Sequence, residues 1–318
     1  MILNLFWIIV GFIFLIKGAD YLVGGSSQVA KSFHIKEIII GLTVVSIGTS
    51  MPEFIITLTS SLKQHSDIAI GNIIGSNISN VFLILGLCAV IKPLKFKDQT
   101  VRLEIPLVIF LTALLYILGN NGRENIITKI EGLILIGVCI LFIFYNIFMS
   151  KKEIENFKEI ENSSEKIMIK SVISIIAGII SLKLGGDFVV ENASQIALNL
   201  GVSEKLISLT IVALSTSLPE LITSVNATLK GEIDMAIGNI IGSNIFNIVL
   251  IIGLTSLINP IIYDTSYNKD IIILMIGLIV LEIIPFIGEK NKISRWSGIG
   301  YIVSYISYMF TLIYVNMF

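Results

Sequence analysis

Apolar residues fill this chain in long blocks, and polar residues interrupt them in short bursts. A block of about 20 apolar residues is long enough to cross a hydrocarbon layer of ~30 Å. The blocks and their breakers predict ten spans. The first five lie at about 3–23, 37–62, 68–91, 103–119 and 130–149. The second five lie at about 170–193, 204–229, 235–258, 270–288 and 296–316. Met1 leads almost directly into the first block with no basic leader, so that block reads as a span and not a signal peptide. Between the two sets the pattern changes. Residues 150–169 carry Lys151, Lys152, Glu153, Glu155, Lys158, Glu159, Glu161, Glu165 and Lys166, and must be solvated. The expected division is a first membrane unit over 1–149, a charged linker over 150–169 and a second membrane unit over 170–318.

Composition agrees with that picture. The chain is 54% hydrophobic and 14% charged, against about 25% charged for soluble domains. The fold class expected is an all-α polytopic membrane protein with the lipid bilayer as its solvent. A net charge of −1 gives no reason to expect nucleic acid as a partner. Lys and Arg set the orientation. With the N-terminus outside, 15 basic residues fall on the cytoplasmic side and five outside, leaving out Lys17 and Lys183 within spans. The reading is a cell-membrane protein with both termini outside and the 150–169 linker in the cytoplasm. Each unit has five spans, an odd number, so the second enters the membrane upside down as an inverted repeat. Cys88 and Cys139 fall within spans and read as buried thiols. His34 and His65 lie near span ends without ligand spacing.

The two units also match residue by residue. Gly71-Asn72-Ile73-Ile74-Gly75-Ser76-Asn77 recurs, identical, at Gly238-Asn239-Ile240-Ile241-Gly242-Ser243-Asn244. Pro52-Glu53 recurs as Pro219-Glu220 at the same offset of 167. Residues 67–80 match 234–247 at 12 of 14 positions, Thr49-Ser50 matches Thr216-Ser217, and Asp20 matches Asp187. Ionisable residues inside a membrane segment are costly and mark function. Their duplication points to a transporter built from two related halves.

The chemistry of the repeated residues follows from their spacing. Pro52 has no N–H to give the Gly48 carbonyl, so the second span should open there and free carbonyls around Ser46 to Thr49. Thr49 and Ser50 precede Glu53 by four and three residues, which puts them on its helical face. Thr216, Ser217, Pro219 and Glu220 repeat the arrangement. On the third span Asn72, Ser76 and Asn80 are spaced by four; on the eighth so are Asn239, Ser243 and Asn247. Asn77 and Asn244 point away from their serines and read as structural. All these groups are oxygen ligands, suited to hard cations such as Ca²⁺, Na⁺ or Mg²⁺. Asp20 and Asp187 follow Lys17 and Lys183 by three and four residues, and local ion pairing or helix-end placement is expected of them in place of a transport role.

At these residues the chain resembles the cation/Ca²⁺ exchanger superfamily, in its Na⁺/Ca²⁺ exchanger branch. The matching motifs are Gly48-Thr49-Ser50-Met51-Pro52-Glu53 with Ser215-Thr216-Ser217-Leu218-Pro219-Glu220, and the two Gly-Asn-x-x-Gly-Ser-Asn segments. The resemblance implies a prokaryotic calcium/sodium antiporter. Glu53 and Glu220 are then the central Ca²⁺ carboxylates, shared with Na⁺. Thr49 and Thr216 lend carbonyls to Ca²⁺. Ser50, Ser76, Ser217 and Ser243, with carbonyls near Ser46 and Ala213, build flanking Na⁺ sites, and Asn80 and Asn247 complete the centre. It also implies that the first and sixth helices move as a gate across the other eight. K⁺-dependent relatives carry aspartate where this chain has Asn247, which argues against K⁺ co-transport. Ser215 and Ser46 replace a usual glycine and a common alanine.

The function expected is antiport of Na⁺ for Ca²⁺ by alternating access, with no cofactor. Ca²⁺/H⁺ antiport on the same fold is the alternative, because buried glutamates can take protons. A cation channel is a further reading. An intramembrane enzyme is not expected, since no Ser/His or His/Glu constellation lies within the spans.

Overall fold

The computed structural model describes residues 2–33, 35–122, 125–154, 165–201, 213–287 and 291–317. The first unit begins with a long helix, α1 (Ile2–Ser32). The second predicted span is built from α2 (Glu37–Ile40), a π-helical turn over Gly41–Val45, α3 (Ser46–Thr49) and α4 (Met51–Leu62). Then come α5 (Ser66–Ile78), a π-helical turn over Ser79–Ile84 and α6 (Leu85–Ile91). A third π-helical turn, Thr100–Glu104, leads into α7 (Ile105–Gly119), and α8 (Lys129–Ile154) ends the unit.

The second unit runs through α9 (Glu165–Asn199), α10 (Ala213–Ser215) and α11 (Leu218–Lys230). It continues with α12 (Ile233–Phe246), a π-helical turn over Asn247–Ile252 and α13 (Gly253–Ile258). It closes with α14 (Asn268–Ile283) and α15 (Arg295–Met317).

Seven described helical stretches are long and apolar enough to cross a membrane, and an eighth if the bent pair over 37–62 is one span. The seventh expected span begins partly outside the described residues, and α14 is shorter than its sequence block. The termini of α8 and α9 also run into the charged stretch between the units, which was expected to be all linker.

Burial sorts the helices into an inner and an outer set. In the central windows of α5–α6 and α12–α13, 78% and 83% of residues are buried, against 22% for α1 and 17% for α15. The outer helices show a continuous apolar face, including Ile9, Phe144, Ile176 and Phe310. A face of that extent suits lipid contact. The inner helices hold the polar residues, including Glu53, Asn80, Glu220 and Asn247, each 1% exposed.

Glycines let the outermost pair meet backbone to backbone. α1 and α9 pack along each other. A Cβ on Gly18 would lie 2.8 Å from the Leu182 nitrogen, and one on Gly178 would lie 2.6 Å from the Leu22 nitrogen. Only a residue without a side chain fits such an approach, which is the usual way helices associate in lipid. The seam is reciprocal. Gly11 faces Gly185 as Gly18 faces Gly178, and Ser174 and Ser181 donate to the Tyr21 and Phe14 carbonyls. Four short strands repeat that exchange. β1 (Leu94–Lys95) pairs with β4 (Lys292–Ile293), and β2 (Ile126–Ile127) pairs with β3 (Ile261–Ile262). Each unit thus hydrogen-bonds its partner's strand and not its own.

Candidate functional site

The Pro-Glu motifs start new helices, as the missing proline N–H dictates. The chain bends by 46° between the helical stretches on either side of Ser50. Ser50 itself has φ −82° and ψ 8°, outside helical geometry, and Ser217 repeats this with φ −81° and ψ 0°. Glu53 and Glu220 then fall in the first turns of α4 and α11. A helix N-terminus favours negative charge, which offsets part of the cost of burying a carboxylate. The opening is narrower than the sequence suggested. Ser50 N–H still bonds the Ser46 carbonyl at 3.0 Å, and the Thr49 hydroxyl donates to the same oxygen at 3.3 Å.

Glu220 takes a hydroxyl from the other unit, and Glu53 takes one from its own unit that in turn meets the other. Ser50 Oγ donates to Glu220 Oε1 at 2.8 Å. Ser76 Oγ donates to Glu53 Oε1 at 3.3 Å and lies 3.3 Å from Thr216 Oγ1. One oxygen of each carboxylate, Oε2, has no hydrogen-bond partner. Ser217 Oγ, Ser243 Oγ, both polar atoms of Asn80 and Oδ1 of Asn247 are likewise buried without a partner. Buried acceptors left in this way are uncommon and costly. These atoms are oxygens apart from one amide nitrogen, and they fit a hard cation as substrate.

The remaining expected residues fall nearby or frame the cluster. Ser46 is fully buried and donates to the Thr43 carbonyl at 3.2 Å. A Cβ on Gly242 would lie 2.6 Å from Ser46 Oγ, so that glycine brings α12 against the broken span. Thr49 Oγ1 donates to Asn239 Oδ1 at 3.0 Å, and Thr216 Oγ1 to Asn72 Oδ1 at 3.3 Å. Ala213 opens α10, at the edge of the described residues. Asn77 and Asn244 take structural partners. Asn77 Oδ1 accepts from Asn247 Nδ2 at 2.9 Å, and Asn244 Nδ2 donates to the Ile240 carbonyl at 2.7 Å.

Two site residues were underrated in the sequence. Asn72 and Asn239 were placed on the right face but given no role. Asn72 Nδ2 donates to the Glu53 carbonyl at 3.2 Å and to Thr57 Oγ1 at 3.0 Å, while its Oδ1 takes Thr216. Asn239 does the same between Ser224 and Thr49. Each amide ties one unit's broken helix to the other's. Outside this cluster, Glu104 carries a further buried carboxyl that the sequence does not set apart. It is 1% exposed and neither of its carboxyl oxygens has a partner. Its position at the edge of an apolar block read as a span end.

One expectation is corrected. Asp187 pairs within its helix with Lys183 at 2.6 Å, as expected, but Asp20 does not pair with Lys17. Asp20 Oδ1 instead takes Lys230 at 2.8 Å and Asn226 at 3.0 Å, both on α11. Cys88 and Cys139 are free, buried thiols. His65 caps α5 and His34 lies outside the described residues. No group of three or more His, Cys, Asp or Glu that could hold a metal occurs among the described residues.

The chain is similar to known proteins over most of its length. The family model described as sodium/calcium exchanger protein matches residues 3–148 and 170–314. The chain is 33% identical to the putative antiporter CaxA of Alkalimonas amylolytica, over 98% of this chain and 99% of that protein. It is 30% identical to the sodium/calcium exchanger MaX1 of Methanosarcina acetivorans, with the same coverage of each. A structure of the sodium-calcium exchanger NCX_Mj, soaked with 2.5 mM Na⁺ and 1 mM Sr²⁺, superposes with a TM-score of 0.83 at 33% identity. That match covers 97% of this chain and 98% of the other. This chain therefore belongs to the sodium/calcium exchanger protein family.

Proposed function

We propose that the protein is a Na⁺/Ca²⁺ antiporter of the cell membrane, working by alternating access. The observation that carries the reading is the pair of fully buried glutamates, one from each unit, each with one carboxylate oxygen free of any hydrogen bond. Two carboxylates supply about −2, which one Ca²⁺ neutralises and three Na⁺ overcompensate by one charge. With that stoichiometry the exchange is electrogenic. The relatives named a sodium/calcium exchanger and a putative antiporter support the choice of ions and of mechanism. So does the solved exchanger soaked with Na⁺ and Sr²⁺.

In this reading Glu53 and Glu220 hold Ca²⁺ with the carbonyls of Thr49 and Thr216. Ser50, Ser76, Ser217 and Ser243, with carbonyls near Ser46 and Ala213, serve Na⁺, and Asn80 and Asn247 close the centre. Asn247 in place of an acid supports K⁺-independence. The architecture is ten helices in two inverted repeats, 1–149 and 170–318, with both termini outside and the 150–169 linker in the cytoplasm. The reciprocal α1–α9 seam and the exchanged strand pairs support the inversion.

The test is Ca²⁺ uptake into proteoliposomes loaded with Na⁺, compared with liposomes holding choline under an imposed pH gradient. Uptake that requires internal Na⁺, responds to membrane voltage and ignores K⁺ supports the proposal. Uptake that follows the pH gradient alone assigns the protein to Ca²⁺/H⁺ antiport and overturns the Na⁺ sites. A non-saturable flux independent of any counter-ion assigns a channel.

A further inference from the structure

The long outer helices share an aspartate and a serine at matching positions, Asp20 with Asp187 and Ser27 with Ser194, yet these residues are in different states. On α1, Asp20 bonds Lys230 and Asn226 of α11. One turn and more further along, Ser27 donates to Glu232 at 3.0 Å and to Glu37 at 3.3 Å, and Lys31 lies 3.6 Å from Glu232. These contacts fasten α1 to the far ends of the broken spans. The offset of 167 carries Asp20 to Asp187, Ser27 to Ser194 and Lys230 to Lys63. On α9, Asp187 has only Lys183 of its own helix, and Ser194 Oγ is buried with no partner. Lys63, just past the end of α4, is exposed and takes part in no ion pair among the described residues. The packing follows suit. α1 lies along α11, whereas their counterparts α9 and α4 share no comparable seam.

We propose that these residues form two alternating latches: Asp20 with Lys230 holds one face of the protein shut, and Asp187 with Lys63 holds the opposite face shut after the helices have moved. The structure is then the state with the first latch closed and the second open. The inference deepens the alternating-access reading and rests on it. Its chemistry is ion pairing at half-exposed positions, where an opposite charge brings modest stabilisation. Modest strength suits a latch, because a pair too strong would trap one state. Lys183 is the resting partner that keeps Asp187 from facing lipid alone while its latch is open. Lys17 is close enough to Asp20 to serve the same way.

Cysteine pairs in the full chain, reconstituted in liposomes, test the proposal. One pair is Asp20→Cys with Lys230→Cys, the other Lys63→Cys with Asp187→Cys, and a third protein carries all four. A short bifunctional thiol reagent is applied and links are read by mass spectrometry. Each pair is expected to link when present alone, and the four-cysteine protein to carry one link or the other but not both. Both links in one molecule overturn the proposal. So does failure of the second pair to link in a protein whose first-pair yield changes on adding Ca²⁺ or Na⁺. This readout needs no ion coupling, so loss of Na⁺/Ca²⁺ exchange activity in the flux assay would sink the antiport reading separately.

Should the four-cysteine chain not fold, Lys63→Gln carries the test, because that side chain has no ion-pair partner among the described residues. A structural surface residue leaves flux unchanged. The latch predicts turnover slowed about two- to fivefold, recovered when Lys63→Asp is combined with Asp187→Lys. Unchanged flux in Lys63→Gln, or no recovery in the swapped pair, overturns it.

Discussion

Replacing Glu53 by glutamine should move two measurements in opposite directions. The substitution keeps the shape of the side chain and removes its charge. In the cation-loaded protein, Glu53 is one of two carboxylates available to the ion, and no other acid is grouped with them among the described residues. Removing one partner from a buried ionic contact costs about 3–5 kcal/mol, which weakens Ca²⁺ binding roughly 150- to 4,000-fold. In the ion-free protein the sign reverses. Glu53 is 1% exposed, has a single hydroxyl donor, Ser76, and leaves Oε2 without a partner. Removing a buried charge that has no counter-ion in the ion-free protein relieves a cost of about 3–5 kcal/mol. The variant should therefore unfold at a higher temperature than the parent in chelator at alkaline pH, yet gain nothing from added Ca²⁺. The parent should gain about 2.7 kcal/mol at a Ca²⁺ concentration a hundredfold above Kd. Thermal unfolding in detergent, with and without Ca²⁺, reads both effects. A variant less stable than the parent without ions, or one that binds Ca²⁺ within tenfold of it, refutes the assignment of Glu53 as a cation carboxylate.

Asn239→Ala removes the Thr49 and Ser224 hydrogen bonds together. At about 1 kcal/mol each, thermal unfolding should show a loss of about 2 kcal/mol without a change of ion selectivity. Gly18→Val should prevent α1 and α9 from docking and abolish folded yield, because its Cβ meets backbone at 2.8 Å. Gly24→Ala, with nothing within 4 Å, should express and fold as the parent does; size-exclusion profiles compare the two. Glu37, the Ser27 hydroxyl and Lys31 together hold the Glu232 carboxyl below its ordinary range. A carboxyl lowered on folding stabilises the protein above its unfolded pKa, about 4.5, and that contribution is lost as pH falls through the lower folded value. Glu232→Gln should therefore flatten the acid side of a stability–pH curve.

The site was legible because its signals are local. A proline beside an acid breaks a helix wherever it occurs, and residues four apart share a face, so Glu53, Thr49, Ser76 and Asn80 could be placed from spacing alone. Partners far apart in sequence could not. Lys17 lies three residues from Asp20 and Lys230 lies 210 away, and nothing in the spacing announces that α11 approaches α1 at that level. Asn72 and Asn239 were hard to read for another reason. An amide donates and accepts, and only the surrounding hydroxyls decide whether it ligates an ion or joins two helices. Helix lengths failed where composition misleads. Gly24, Gly25, Ser26 and Ser27 look like the end of a span, yet α1 continues to Ser32. Small residues weaken helices in water but allow close packing in lipid. Glu104 escaped because a single carboxylate at the edge of an apolar block has no repeat to set it apart. Its counterpart at the offset of 167 is Ile271.

Identical motifs in the two units take different partners in this one conformation. Ser50 bonds Glu220, but its counterpart Ser217 has no partner. Ser76 bonds Glu53, but Ser243 is left without a bond. Asn247 donates to Asn77, while Asn80 has no partner at all. The residues are the same in both units, so their chemistry cannot create the difference. What differs is where the outer helices lie, with α1 fastened to α11 and α9 free of α4. Exchanging the roles of the two units would give Ser217 and Ser243 the bonds that Ser50 and Ser76 make here. Two packings within a few kcal/mol of each other are what ligand binding can shift between. The antiport proposal requires two such arrangements, and the duplicated motifs supply the residues for both.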